Sequence, residues 1–294
     1  MQTTNLFIRV ISLEGKNLMI GGSERSILIP SSVTMESADM RVRTFKVGLI
    51  ARAAAVFQMD RIVIYHDDQF DDSRFIKRIL QYAETPQYLR KMLFPRMKEL
   101  RYVGILPPLR TAHHPIRSKV TMLKVGEFRV GLVVDDVGSD GGARVELGVE
   151  CPVPLHTERT VRRGQRLNVR IFSLDPLAAE PVDQNEIPHY WGYETIVVDD
   201  LEEYLRSTDA RLVVASRKGR LATPDLLENM AVHRNLAAIF GSPARGVDRF
   251  LSDEMMDRCC VINTIPHQGT ETVRVEEAIF ATLALFNLVR SLEE

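Results

Sequence analysis

Apolar residues fill Ser26–Pro30 and Pro30-Ser31-Ser32 ends the run, which predicts a short buried strand. Val42–Phe57 then repeats apolar residues at helical spacing, with a stripe of small side chains at Ala51, Ala53, Ala54 and Ala55. Arg61–His66 is β-branched and closes on Asp67-Asp68, the pattern of a second strand. Asp71–Tyr82 returns to the helical period, with Phe75, Ile76, Ile79 and Leu80 on one side. Strand, helix, strand, helix is how an α/β domain begins.

The texture changes near Pro95. Prolines punctuate the chain at Pro107-Pro108, Pro115, Pro152 and Pro154, and the helical period disappears. Val120–Val125, Phe128–Val134, Arg144–Val149 and Gln165–Phe172 read as short strands, parted by Gly126, the glycines of 138–142 and Gly164. Such spacing suggests a small barrel or sandwich, and the basic run Arg162–Arg170 suits a hairpin of an OB-like fold.

Alternation resumes after Trp191-Gly192-Tyr193. Thr195–Val198, Arg211–Ala215, Asn235–Phe240 and Cys260–Asn263 are predicted strands; Leu201–Ser207 and Pro224–Met230 are predicted helices. A last helix over Thr272–Arg290 carries Val273, Val275, Ala278, Ile279, Leu283, Leu285, Phe286, Leu288 and Val289 on more than one face. A helix apolar on that many sides is buried, here against a second subunit. Glu276 and Glu277 in its first turn suit the helix dipole. The organisation expected is one discontinuous α/β domain, 1–94 with 173–294, interrupted by an OB-like β domain at 95–172.

Composition narrows the class. Apolar residues at 45% and charged residues at 26% describe an ordinary globular chain. Met1–Val10 lacks the pattern of a secretory signal, and no apolar run is long enough for a membrane helix, so a cytoplasmic protein with no membrane partner is expected. Cys151, Cys259 and Cys260 are odd in number and lack metal spacing, which predicts reduced thiols. Charge is unevenly placed. Residues 85–170 hold 16 Lys and Arg against 8 Asp and Glu, in a chain whose net charge is −1. A basic module inside an acidic remainder suits a polyanion such as a nucleic acid, and Arg117, Lys119, Arg162, Arg163 and Arg166 are its candidate contacts.

Three predicted strands end in candidate loops: Ser216–Arg220, Gly241–Val247 and Asn263–Thr270. Ligands of open α/β sheets bind beyond the carboxyl ends of the strands. The candidate cofactor contacts are Ser216 and Gly219; Phe240, Gly241, Ser242 and Gly246; and Ile262, Asn263, Thr264, Gln268, Gly269 and Thr270. Any one of these loops alone is an ordinary turn; three together point to a site. Small residues and backbone suit a ligand that carries its own reactivity. Neither G-x-G-x-x-G nor G-x-x-x-x-G-K-[ST] is present, nor H-E-x-x-H or G-x-S-x-G. His113 and His114 are adjacent and would point apart in a strand, so no metal is expected. His267 is either a substrate contact or a turn residue.

The two final loops resemble those of the SPOUT class of RNA methyltransferases. So do Lys46–Ala55 with Asp60–Val63, Tyr88–Pro95, Gly104–Leu109 with His113-His114, Tyr190–Tyr193, and Asn263–Thr270 with Val273–Ile279. Over nearly its whole length the chain resembles the archaeal and eukaryotic group of RNA uridine-N3 methyltransferases, which carry an OB-like insertion. The resemblance implies a trefoil-knotted α/β domain, S-adenosylmethionine as cofactor, and a homodimer with its cofactor sites near the interface. It also implies that Arg52 faces the target nucleotide. Methyl transfer to a uridine N3 needs the base deprotonated, which a cation such as Arg52 or Arg245 would favour. Ser216-Arg217-Lys218-Gly219 is more basic than that class leads one to expect. Transfer to a ribose 2′-hydroxyl, or a non-catalytic RNA-binding or assembly role, are the competing readings.

Overall fold

A computed structural model describes residues 24–135, 142–231, 233 and 235–293. Met1–Val10, read above for a signal, and the glycine turn at 138–141 lie outside them.

The α/β domain has six parallel strands. They are β1 (Arg25–Pro30), β2 (Arg61–Tyr65), β8 (Glu194–Val198), β9 (Arg211–Leu221), β10 (Leu236–Phe240) and β11 (Cys260–Asn263), in the order β11-β9-β10-β1-β2-β8. Because β1, β2 and β10 are covered on both faces, they read as continuous apolar runs rather than alternating ones. One face carries α1 (Met40–Val56), α2 (Ser73–Glu84), α5 (Pro224–Ala231) and α7 (Val275–Glu293). The alanine stripe of α1 is wholly buried there, and small side chains let the helix lie close to the sheet. The other face carries α4 (Leu201–Ser207) and α6 (Asp253–Arg258), packed through Leu201, Leu205 and Met255 on Leu28, Val63 and Tyr65.

The insertion closes into a five-stranded barrel. Its strands are β3 (Phe128–Asp135), β4 (Ala143–Glu146), β5 (Val153–Leu155), β6 (Arg166–Leu174) and β7 (Leu177–Val182), ordered β3-β4-β5-β7-β6 around the circle. The last strand thus enters between the third and fourth, and β5 meets it in parallel, the Greek-key arrangement of an OB-like barrel. Two of these strands escape the sequence pattern. β5 has three residues, and β7 (LAAEPV) offers alanines and a proline instead of β-branched residues. The boundary expected at 172 falls inside β6, and the barrel runs on to 182. Val120–Val125, expected as a strand, contains a 3-10 turn at Val120–Met122 whose Val120 and Leu123 plug the barrel core.

The stretch before the barrel belongs with the α/β core. Leu100, Val103, Leu106 and Leu109 pack there against the core beneath α1 and α2, and α3 (Gln87–Leu93) leads into it. Gly48 of α1 permits this approach, since a Cβ at that position would stand 2.7 Å from Leu106 Cδ2.

Candidate active site

The carboxyl ends of β10 and β11, with the middle of β9, open on a cleft of about 770 Å³. It is walled by Ala215–Lys218, Phe240–Arg249, Asn263–Ile265, Gln268 and the stretch Glu271–Val275 at the start of α7, with Glu36 and Ala278 completing it. A cleft of this size accommodates a nucleoside-sized ligand. Its lining fits one: apolar Ala215, Phe240, Ile265, Val275 and Ala278 can take a flat ring, and the backbone of two loops surrounds them. Ser216, Phe240, Gly241, Ser242, Gly246, Asn263, Thr264 and Gln268 of the candidate cofactor residues lie on its wall.

The first expected loop is not a loop. β9 continues through Ser216–Gly219 to Leu221, and β11 pairs with both parts of it, Val213 and Val214 before the irregularity and Arg220 and Leu221 after it. Gly219 serves this pairing. A Cβ there would lie 2.6 Å from the backbone N and C of Ile262, so the glycine admits β11 and does not face the cleft. Ile262 itself is fully buried in the sheet core with Val213 and Met230. Strand propensity hid this extension, because Ser-Arg-Lys-Gly is a turn composition that the neighbouring strand overrides.

The second loop is shaped internally. Ser242 Oγ accepts the amides of Ala244 and Arg245 at 3.3 and 2.9 Å, and a Cβ on Gly241 would stand 2.7 Å from the Arg245 carbonyl. In the third loop Asn263 Oδ1 accepts the Ile265 amide at 3.0 Å, while its Nδ2 donates to the Arg217 carbonyl at 3.2 Å. Thr264 Oγ1 lies 2.8 Å from Thr282 Oγ1 of α7, and Gln268 Nε2 donates to the carbonyls of Thr270 and Glu271. These polar side chains hold the walls in place and leave recognition to the backbone and the apolar floor. Gly269 is exposed, and His267 and Thr270 line an adjoining depression with Arg217. His267 adopts a positive φ of 55°, which fits its reading as a turn residue.

The charged frame of the cleft was not evident from the sequence. Arg245 forms an ion pair with Asp67, whose side chain is wholly buried, and lies 4.8 Å above the Phe250 ring. Asp67 also accepts from Ser32 Oγ and from the Gln69 amide, so β1, β2 and β10 are tied together at their carboxyl ends. On the opposite wall Lys46 Nζ lies 2.9 Å from Glu36 Oε2 and 3.5 Å from Glu276 Oε2. Glu276 therefore completes an ion cluster about the buried Lys46, a stronger reason for its position than the helix dipole. Lys46 and Glu36 lie ten residues apart in the chain, and sequence spacing offered no signal for their meeting.

Arg52 is placed away from the cleft. Its Nη1 donates to the carbonyls of Pro108 and Leu109 at 3.1 and 2.5 Å, fastening the segment before the barrel onto α1. Arg166 is likewise engaged, as both nitrogens of its fork meet the Glu84 carboxylate. Arg117, Lys119, Arg162 and Arg163 are exposed on the insertion. Among the described residues no group of three His, Cys, Asp or Glu is placed to hold a metal ion, and no helix is long and apolar enough to cross a membrane.

A family model described as "Putative RNA methyltransferase" matches residues 24–286. The chain belongs to this RNA methyltransferase family. A protein of Haloarcula marismortui is 37% identical, over 90% of this chain and 98% of its own length. The 28S rRNA (uridine-N(3))-methyltransferase of Homo sapiens is 28% identical, over 88% of this chain and 76% of its own. The SpoU methyltransferase AviRb from Streptomyces viridochromogenes, solved with AdoMet, aligns with 94% of the chain and 60% of its own at 10% identity and a TM-score of 0.36. The parallel α/β sheet with an inserted five-stranded barrel is the fold class that the SPOUT resemblance implied.

Proposed function

We propose that the chain binds S-adenosylmethionine in the cleft and methylates N3 of a uridine in ribosomal RNA. The observation that carries this reading is the coincidence of the cleft, with its apolar floor, surrounding loop backbone and charged frame, with the carboxyl ends of β10 and β11 in a chain whose family match runs from 24 to 286. The acceptor atom is supported by relatives in Homo sapiens and Mus musculus named for uridine N3 methylation, each aligned over 88% of this chain. Bound there, the sulfonium supplies the methyl group. The protein's share is to hold both reactants in line and keep water out. Arg245 lines the cleft wall, braced by Asp67, and its guanidinium would favour an anionic base.

A homodimer in the cytoplasm belongs to the same proposal. Val42, Phe45 and Val56 of α1 and Leu288 of α7 are about half exposed in the single chain, apolar surface that a second copy would cover. The barrel would grip RNA phosphates through Arg117, Lys119, Arg162 and Arg163.

The test is to incubate the protein and S-adenosylmethionine with ribosomal RNA from cells lacking this chain, then analyse the digested nucleosides by mass spectrometry. 3-Methyluridine is the expected product. A ribose-methylated nucleoside would move the acceptor to the 2′-hydroxyl. No methylated product, with no S-adenosylmethionine heat in calorimetry, would leave an RNA-binding role.

A further inference from the structure

Methylation at N3 requires that a proton leave the base, and the Arg245 guanidinium, already a cation, cannot take it. The cleft wall includes the carboxylates of Glu36, Asp248 and Glu271. A proton acceptor must be held in position and must reach both the substrate and water. Asp248 is turned toward Lys218, 3.7 Å away, and a Cβ on Gly246 would lie 2.2 Å from its Oδ1, so it packs against its own turn. Glu271 is engaged through its backbone carbonyl, which accepts from Arg217 and Gln268, and no contact fixes its carboxylate among the described residues.

Glu36 differs from both. It ends the turn that follows β1, and its Oε2 accepts from Lys46 Nζ at 2.9 Å. Lys46 is itself fixed: its side chain is 7% exposed, and it bridges to Glu276 in the first turn of α7, beside Arg274 and Val275 of the cleft wall. One oxygen of Glu36 is thus anchored through a buried cation to two helices. The other, Oε1, has no hydrogen-bond partner among the described residues, and the side chain is 45% exposed. An anchored carboxylate with one unpartnered oxygen, on a half-exposed side chain at the wall of a methyl-transfer cleft, has the fixed position and the access to water that a general base requires.

We propose that Glu36 accepts the N3 proton of the target uridine, a role that rests on the uridine-N3 reading above. The N3–H bond breaks and its proton passes to Glu36 Oε1. The electron pair left on N3 forms the bond to the methyl carbon, and the carbon–sulfur bond electrons stay with sulfur, leaving a neutral thioether. The proton then passes from Glu36 to water. Lys46 is a positioning residue, acting through Glu36.

The test compares wild type with Glu36→Gln on ribosomal RNA from cells lacking this chain. Gln keeps the size and the acceptor oxygen but cannot take a proton. The expected result is a kcat at neutral pH lower by about 10²–10⁴-fold. KM, RNA affinity measured without cofactor, and the calorimetric Kd for S-adenosylmethionine should be unchanged. The deficit should shrink as pH is raised, because alkali ionises the uracil N3 without help. An unchanged kcat would overturn the proposal, and so would a loss equal at every pH or a matching loss of RNA or cofactor affinity. If the wild-type product carries its methyl group on a ribose hydroxyl, the uridine-N3 reading falls and this proposal falls with it.

Discussion

Arg166 of barrel strand β6 holds both oxygens of Glu84, the last residue of α2, at 2.7 Å each. That bidentate pair joins the inserted barrel to the α/β domain. His113 and His114 complete the joint by donating to the Glu84 carbonyl at 2.9 and 2.6 Å, and Trp191 packs beside His113 while its indole donates to Asn168 of β6. Gly192 is required here. It has a φ of 94°, and a Cβ would lie 2.7 Å from His113 Cε1. Arg166→Ala removes the bidentate partner of a nearly buried carboxylate and leaves it only His113 Nε2, 3.3 Å from Oε1. The expected cost is about 2 kcal/mol, less than the roughly 3–5 for a fully buried pair because a third of the Arg166 side chain meets solvent. Urea denaturation measures it, and a cost near zero would deny the joint its role.

The same joint should loosen in acid. Burial, reinforced by neighbouring His113, lowers the His114 pKa from 6.5 to about 4. The unfolded chain therefore binds more protons between those values, and stability falls as pH drops through them, by at most about 1.4 kcal/mol per pH unit. Burial alone would raise the Glu84 pKa, but Arg166 and His113 outweigh it and bring it from 4.5 down to about 2. Its contribution is present above 4.5 and is lost toward 2, in the same direction. Asp60, which burial raises from 3.8 to about 6, works in the opposite sense. Comparison with a variant isolates the first effect: His114→Gln should flatten the dependence between pH 6.5 and 4 in a series of urea midpoints. An unaltered slope would assign that window to other groups.

Gly219→Ala should destabilise the sheet rather than weaken a ligand contact directly. The added methyl group meets the Ile262 backbone, which cannot rotate away as a side chain can. A loss of about 1–3 kcal/mol or more is expected from thermal denaturation. Gly269→Ala is the control, since nothing lies within 4 Å of a Cβ there.

Arg52→Ala should leave S-adenosylmethionine affinity unchanged in calorimetry, because its guanidinium is spent on the Pro108 and Leu109 carbonyls outside the cleft. Hydrogen exchange should quicken in the segment around 104–109. A lost cofactor affinity would mean that Arg52 shapes the cleft through that segment.

Replacing Arg117, Lys119 and Arg162 with Gln should weaken RNA binding and flatten its salt dependence. The log–log slope should fall by about 0.7 for each single-strand phosphate that these side chains no longer neutralise. Unchanged binding would place the RNA on another face.

Much of this protein is legible in one dimension. The periods of 2 and 3.6 residues follow from local backbone geometry, so β1, α1, β2, α2, β10 and α7 can be read from runs such as RSILIP and RIVIY without knowing what they pack against. Short motifs likewise carried the family and the two true loops of the cleft. Tertiary structure alone decided the rest. Ser216–Gly219 stayed within a strand because β11 pairs on either side of it, and LAAEPV became a barrel strand because two neighbours supply its hydrogen bonds. The charged side chains were the least legible. Arg52, Arg166, Arg245 and Lys46 look alike as isolated cations, and their roles were set by partners 57, 82, 178 and 10 residues away. A charge is recognised through distance in space, and nothing in its sequence neighbourhood encodes that distance.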